Sequence, residues 1–216
     1  MINSYLNITV IAEWLTFIIS IFVLDRKTTV WRLFILLLFL VLCTETLGWY
    51  MYNRWKISNN ALPFNILMLL SNGFFMWFFS RAMVLHKIKK WLLFFMCLFI
   101  AFGLVNLFFF QGLWIYNSFS ESFGDIILSI ICCYFLFTLV KNAEHIDILR
   151  FDYFWLANGV LFYTLGSALL YQFSYLLISH YKQTGINVGE YINYGLNLIL
   201  YSSLIIAFIC RRKITR

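Results

Sequence analysis

Charge is scarce in this chain. Only 12% of its 216 residues are Asp, Glu, Lys or Arg, against about 25% in ordinary soluble domains. Proline occurs once, as Pro63, and glycine ten times. That composition excludes collagen-like and low-complexity disordered chains. Histidine is limited to His86, His145 and His180, all in polar stretches or at the ends of apolar ones. An intramembrane histidine cluster for zinc is therefore missing, as is a pair of helix-buried haem ligands. The last apolar stretch lacks a lysine within its apolar core, so a retinal Schiff base has no anchor there. No glycine-rich phosphate loop is present, and serines and threonines lack a neighbouring base. The five cysteines, Cys43, Cys97, Cys132, Cys133 and Cys210, fall within or at the inner edges of apolar stretches. Structural disulfides are not expected there. These absences point away from an enzyme, a cofactor and a resident metal.

Apolar residues dominate what remains, at 63% hydrophobic and 21% aromatic. A soluble domain of this length could not hide so much apolar surface. The expected class is an all-α polytopic membrane protein, because lipid offers backbone groups no outside partner. A bilayer core of about 30 Å needs roughly 20 apolar residues in a helix. Seven stretches meet that need, at about 5–24, 31–52, 61–81, 91–112, 123–141, 154–177 and 191–210. The fifth is the weakest, with only the 15 residues Ile126 to Val140 between Asp125 and Lys141. Residues 1–216 then form a single seven-helix transmembrane domain, with connections too short for a separate soluble unit. The first stretch is not expected to be a cleaved signal peptide, since its basic residues follow the apolar run.

The net charge of +7 fits this picture better than a nucleic-acid partner does. Seven alternating spans put 13 Lys and Arg residues on one side and only Arg54, Lys56 and Lys182 on the other. The positive-inside rule makes the richer side cytoplasmic. The N-terminus is therefore expected outside and the C-terminus in the cytoplasm, with the chain in a cell's inner membrane. Trp31, Trp77, Trp91 and Trp155 are expected at the inner boundary, and Trp49, Trp55, Trp114 and Tyr191 at the outer one.

Polar residues inside the spans are not evenly spread. Glu13, Glu45, Asn65, Asn72, Asn106, Asn193 and Asn197 nearly all map to the outer half once helix direction alternates. An ionisable group at such depth costs about 2.5–3.5 kcal/mol on insertion scales and marks functional sites. Glu45 is the leading candidate, with Glu13, Asn65, Asn106, Asn193 and Asn197 as further ligand-binding candidates in an outward-facing polar and aromatic pocket. The bland reading is interhelical glue, worth about 0.6 kcal/mol per hydrogen bond. Asp125 and Glu190 read as solvated helix starts, where an acid suits the helix dipole. On the cytoplasmic side, Lys87, Lys89, Lys90 and the 141–152 turn are the surfaces expected to meet anionic lipid or a signalling protein.

Two resemblances follow. Thr46-Leu47-Gly48 in the second span recurs as Thr164-Leu165-Gly166 in the sixth. That resembles the three-plus-one-plus-three helix layout of SWEET-type transporters, which implies small-solute transport. Glu45-Thr46-Leu47-Gly48, Phe154-Trp155 with Gly159, Tyr163 and Gly166, and the basic ending after Asn193 are similar to seven-helix membrane modules of bacterial signalling proteins. These include the membrane regions ahead of sensor histidine kinases. That resemblance implies a sensor-like or regulatory module that binds a ligand or proton outside and signals inward. No kinase follows Arg216 in this sequence, so a separate cytoplasmic partner is expected. A transporter, or a structural membrane subunit, is the alternative.

Overall fold

The computed structural model describes residues 8–24, 29–55, 60–82, 86–141 and 147–215. Among them every regular element is a helix. The order is α1 (Ile8–Val23), α2 (Thr29–Asn53), α3 (Ala61–Ala82), α4 (His86–Val105), α5 (Ser118–Lys141), α6 (Asp152–Gln172), α7 (Ser174–Thr184) and α8 (Val188–Thr215). A π-helical turn at Asn106–Phe110 extends α4, and a 3-10 turn at Ile148–Arg150 precedes α6. Six helices, α2 to α6 and α8, are long and apolar enough to cross a membrane.

α1 has 16 described residues, or about 24 Å by helical rise. Its sidedness is informative. Thr9, Glu13, Thr16 and Ser20 are buried, while Ile11, Trp14, Leu15, Ile18 and Phe22 are exposed. Polar inside and apolar outside is the reverse of a soluble amphipathic helix. Lipid-facing groups on the other helices, such as Phe39, Ile130, Phe137 and Phe162, repeat the pattern.

The helices close into a ring. α1 packs on α2, α2 on α3, α3 on α5, α5 on α6, α6 on α8 and α8 back on α1. α4 stands outside this ring against α3 and α5. The tightest seam is antiparallel. Asp152, Gly159 and Gly166 on α6 meet Arg211, Ser203 and Leu196 on α8 in turn. The two glycines sit seven residues apart on one face, and their missing side chains let the backbones approach. A Cβ on Gly159 would lie 2.5 Å from Ser203 Cβ.

Several sequence expectations change. The fifth span begins at Ser118 rather than near 123, giving α5 24 residues. Hydropathy sets Ser118–Glu121 outside the span, yet these groups find polar partners and continue the helix. The sixth stretch does not run to 177: α6 ends at Gln172, and α7 is a separate short helix after Phe173. Trp31, near the start of α2, faces the bundle interior rather than the surface. It is 2% exposed and stacks on Phe34 at 5.8 Å, within an aromatic core that includes Phe78, Phe208 and Tyr153. Asp152, expected in a solvated turn, is buried and paired with Arg211 at 3.3 Å. Of the surfaces expected to meet anionic lipid or a signalling protein, Lys89 is half-buried and Lys90 exposed, whereas the Lys87 side chain and residues 142–146 lie outside the described residues.

Candidate functional site

A cavity of about 320 Å³ opens inside the helix ring. Three helices line it over matching lengths: Phe34 to Glu45 on α2, Phe64 to Phe75 on α3 and Asn193 to Leu204 on α8. Each run covers roughly three turns, or about 16 Å. Helix direction sorts the lining by depth. Thr9, Glu45, Tyr171, Asn193 and Tyr194 lie toward the end that holds the start of α1. Phe34, Phe75, Val160 and Leu204 form the opposite end. The cavity therefore has a polar end and an apolar floor. Beneath the floor, Trp31, Phe78 and Phe208 are 0–2% exposed, and the Arg211 guanidinium lies 5.4 Å from the Trp31 ring.

Four of the six sequence candidates line this space: Glu13, Glu45, Asn193 and Asn197. Glu13, from the polar stripe of α1, is 3% exposed. The Tyr201 hydroxyl donates to its Oε1 at 3.2 Å, while its Oε2 is buried without a hydrogen-bond partner. Glu45 is half-buried in the last three turns of α2, close enough to Glu13 for the two carboxyls to interact. Asn197 donates to the Asn193 backbone oxygen at 2.9 Å and to its side-chain oxygen at 3.1 Å, which fixes both on the α8 wall.

Asn65 and Asn106 do not line the cavity. They pin the 111–117 connection between α4 and α5. Asn65 donates to the Ile115 oxygen at 2.9 Å and accepts from the Asn117 N–H at 2.8 Å. The Asn106 amide contacts Asn117 and donates to Gln111 Oε1 at 2.8 Å and to Ser120 Oγ at 3.1 Å. Buried backbone groups in an irregular segment need such partners. This connection carries Tyr116 to the cavity wall.

Sequence reading missed the acids of α5. Glu121 lines the cavity, takes a hydrogen bond from Tyr116, and Tyr116 in turn accepts from the Tyr171 hydroxyl at 3.2 Å. Asp125, expected as a solvated helix start, is 1% exposed and lies one turn further in. Asn72 on α3 donates to its Oδ1 at 3.5 Å. The available signal was spacing, since acids four residues apart share a helix face. Tyr163 on α6 lies in electrostatic range of Glu13, Glu45, Glu121 and Asp125. Three carboxyl groups and several tyrosines thus line the cavity, and among the described residues no Lys, Arg or His does. No group of three metal-ligating side chains converges anywhere among the described residues.

Comparison with known proteins finds no matching family model, no matching curated protein and no matching solved structure. Function is accordingly argued from the cavity alone.

Proposed function

We propose that this chain is a seven-span, sensor-like regulatory protein of an inner membrane, with its N-terminus outside and its C-terminus in the cytoplasm. Its cavity takes a small ligand or proton from the outer side, and the occupied state is passed inward to a cytoplasmic partner. The polar stripe of α1 supports counting that helix as a seventh span, since its apolar face needs lipid.

One observation carries the reading: the cavity is polar at one end and apolar at the other. Its apolar floor rests on fully buried aromatic side chains, and α8 runs unbroken from the polar end to the far end. α8 bears Asn193, Asn197 and Tyr201 at the cavity and Arg211 at the Asp152 pair. A ligand that displaced Tyr201 would push on a rigid rod whose other end lies beside the inner loops. Small helix shifts of that kind are a common switching device.

A carrier is the second reading, favoured by a pseudo-repeat. Exchanging α1, α2 and α3 for α5, α6 and α8 maps the helix ring onto itself, with α4 outside it. Gly48 on α2 faces Phe64 of α3, as Gly166 on α6 faces Leu196 of α8. Glu13 of α1 bonds to α8, as Asp125 of α5 bonds to α3.

Reconstituted protein separates the two. Spin labels at Arg32 and Arg212 report the inner ends of α2 and α8, and vesicles report flux. Amino acids, sugars and organic cations are offered from outside. A changed label distance without counterflow supports the sensor, and saturable counterflow supports the carrier. Neither response contradicts both and leaves a structural subunit.

A further inference from the structure

The chemistry of the cavity narrows its ligand. Glu13, Glu45 and Glu121 line it, and no basic side chain does among the described residues. In a space this enclosed, charge balance is met either by protons on the carboxyl groups or by a cation among them. The acids differ in how well they are satisfied. Glu121 has the Tyr116 hydroxyl, itself backed by Tyr171. Glu13 has Tyr201 on Oε1 only, and its buried Oε2 has no partner. An ionised carboxylate has about four acceptor sites, so Glu13 is under-filled at Oε2. Orphaned buried acceptors of this kind are rare in folded proteins and call for a donor.

A metal ion does not fit that role, because three ligands do not converge among the described residues. The volume of about 320 Å³ also far exceeds a bare ion and reaches the lower range of small-molecule pockets, about 300–1,000 Å³. Anions would meet carboxyl groups with no positive partner. The walls between the acids are aromatic, with Tyr163 and Tyr201 beside them and Phe34 and Phe75 below. Rings facing a desolvated cation attract it through their quadrupoles.

We propose that the cavity binds a small organic ammonium ion, its nitrogen held by Glu13 and Glu45 and its carbon substituents set against Tyr163 and the phenylalanine floor. The proposal rests on the cavity being a ligand site open to the outer side. The nitrogen supplies the donor that Glu13 Oε2 lacks.

The test uses the full chain in phosphatidylcholine–phosphatidylglycerol nanodiscs at matched ionic strength. Binding is read by calorimetry and by thermal unfolding. The probes are putrescine, ethylamine and cyclohexylamine, whose ammonium groups carry N–H donors, with glutamate as the anionic and glucose as the neutral comparison. At least one ammonium probe is expected to bind saturably with a dissociation constant of about 1 mM or below, which at tenfold excess stabilises by about RT ln 11. Glu45→Gln and Glu13→Gln are each expected to weaken it at least tenfold, and Asp147→Asn, at an exposed turn, to leave it unchanged. Glu45 is half-buried, so its variant keeps the test sharp if Glu13→Gln fails to fold. Saturable binding of glutamate or glucose with no ammonium binding overturns the ammonium class and leaves the cavity reading standing. Ammonium binding indifferent to both glutamine variants overturns the assignment to this cavity. Absence of binding by every probe overturns the proposal, and the water accessibility of Asn193→Cys then decides whether the cavity reading falls with it.

Discussion

Tyr201 on α8 donates its hydroxyl hydrogen to Glu13 Oε1 on α1 at 3.2 Å, joining residues 188 apart in sequence. The bond closes the helix ring between the first and last described helices and stands at the cavity wall. Removing the hydroxyl tests its weight. Tyr201→Phe keeps the ring packing and strips Glu13 of its one protein donor. Interhelical hydrogen bonds in membranes contribute about 0.6 kcal/mol on average and about 1.7 at most. With both carboxyl oxygens left unpaired, a loss of about 1–2 kcal/mol is expected in reversible unfolding in mixed micelles.

The α6–α8 seam predicts an asymmetry between two chemically identical changes. Gly159→Ala puts its Cβ against Ser203 Cβ, which cannot move without its backbone. Gly166→Ala meets Leu196 Cδ2 at 2.3 Å, the far end of a side chain that can rotate away. Overpacking costs about 1–3 kcal/mol. Gly159→Ala is expected at the upper end of that range and Gly166→Ala below 1 kcal/mol, as thermal unfolding of the two variants will show. Equal losses would mean that the seam yields as a rigid unit.

At the opposite end, Asp152 is fully buried against an Arg211 side chain that is 21% exposed. Breaking a buried pair by removing one partner costs about 3–5 kcal/mol. Partial exposure of Arg211 and screening bring Arg211→Ala to the low end, about 3 kcal/mol. Loss of its contact with the Trp31 ring is included in that figure. Arg211→Ala with Asp152→Asn should recover most of the stability, which a double-mutant cycle measures directly.

The 111–117 connection offers a fourth expectation. Asn65→Ala and Asn106→Ala each free buried backbone or side-chain groups of that segment. Both are expected to loosen it and displace Tyr116 from Glu121, seen as faster amide exchange over 113–117. The effects should not be additive, because the two asparagines share Asn117.

Much of this arrangement was legible in the residues. Glu13 and Glu45 lie deep in apolar runs, and both line the cavity. What escaped was partner choice. Asn65, Asn106, Asn193 and Asn197 are one residue type at similar depth, yet two hold a loop and two line a cavity. That division depends on how the 111–117 segment folds back, which no periodicity encodes. Glu121 was lost because hydropathy sets Ser118–Glu121 outside the span, although these groups are satisfied within the bundle. Trp31 misled for a related reason. Tryptophan suits both a membrane boundary and an aromatic core, and only the packing of α2, α3 and α8 decides between them.

The account depends most on water entering the cavity from the side opposite the C-terminus. Cysteine accessibility in intact cells measures that directly, in a background with the five native cysteines replaced. Asn193→Cys should react with a membrane-impermeant maleimide added outside, and Lys213→Cys should react only after permeabilisation. Labelling of Lys213→Cys from outside, or of neither site before permeabilisation, would contradict the proposed orientation and the outward-facing cavity together.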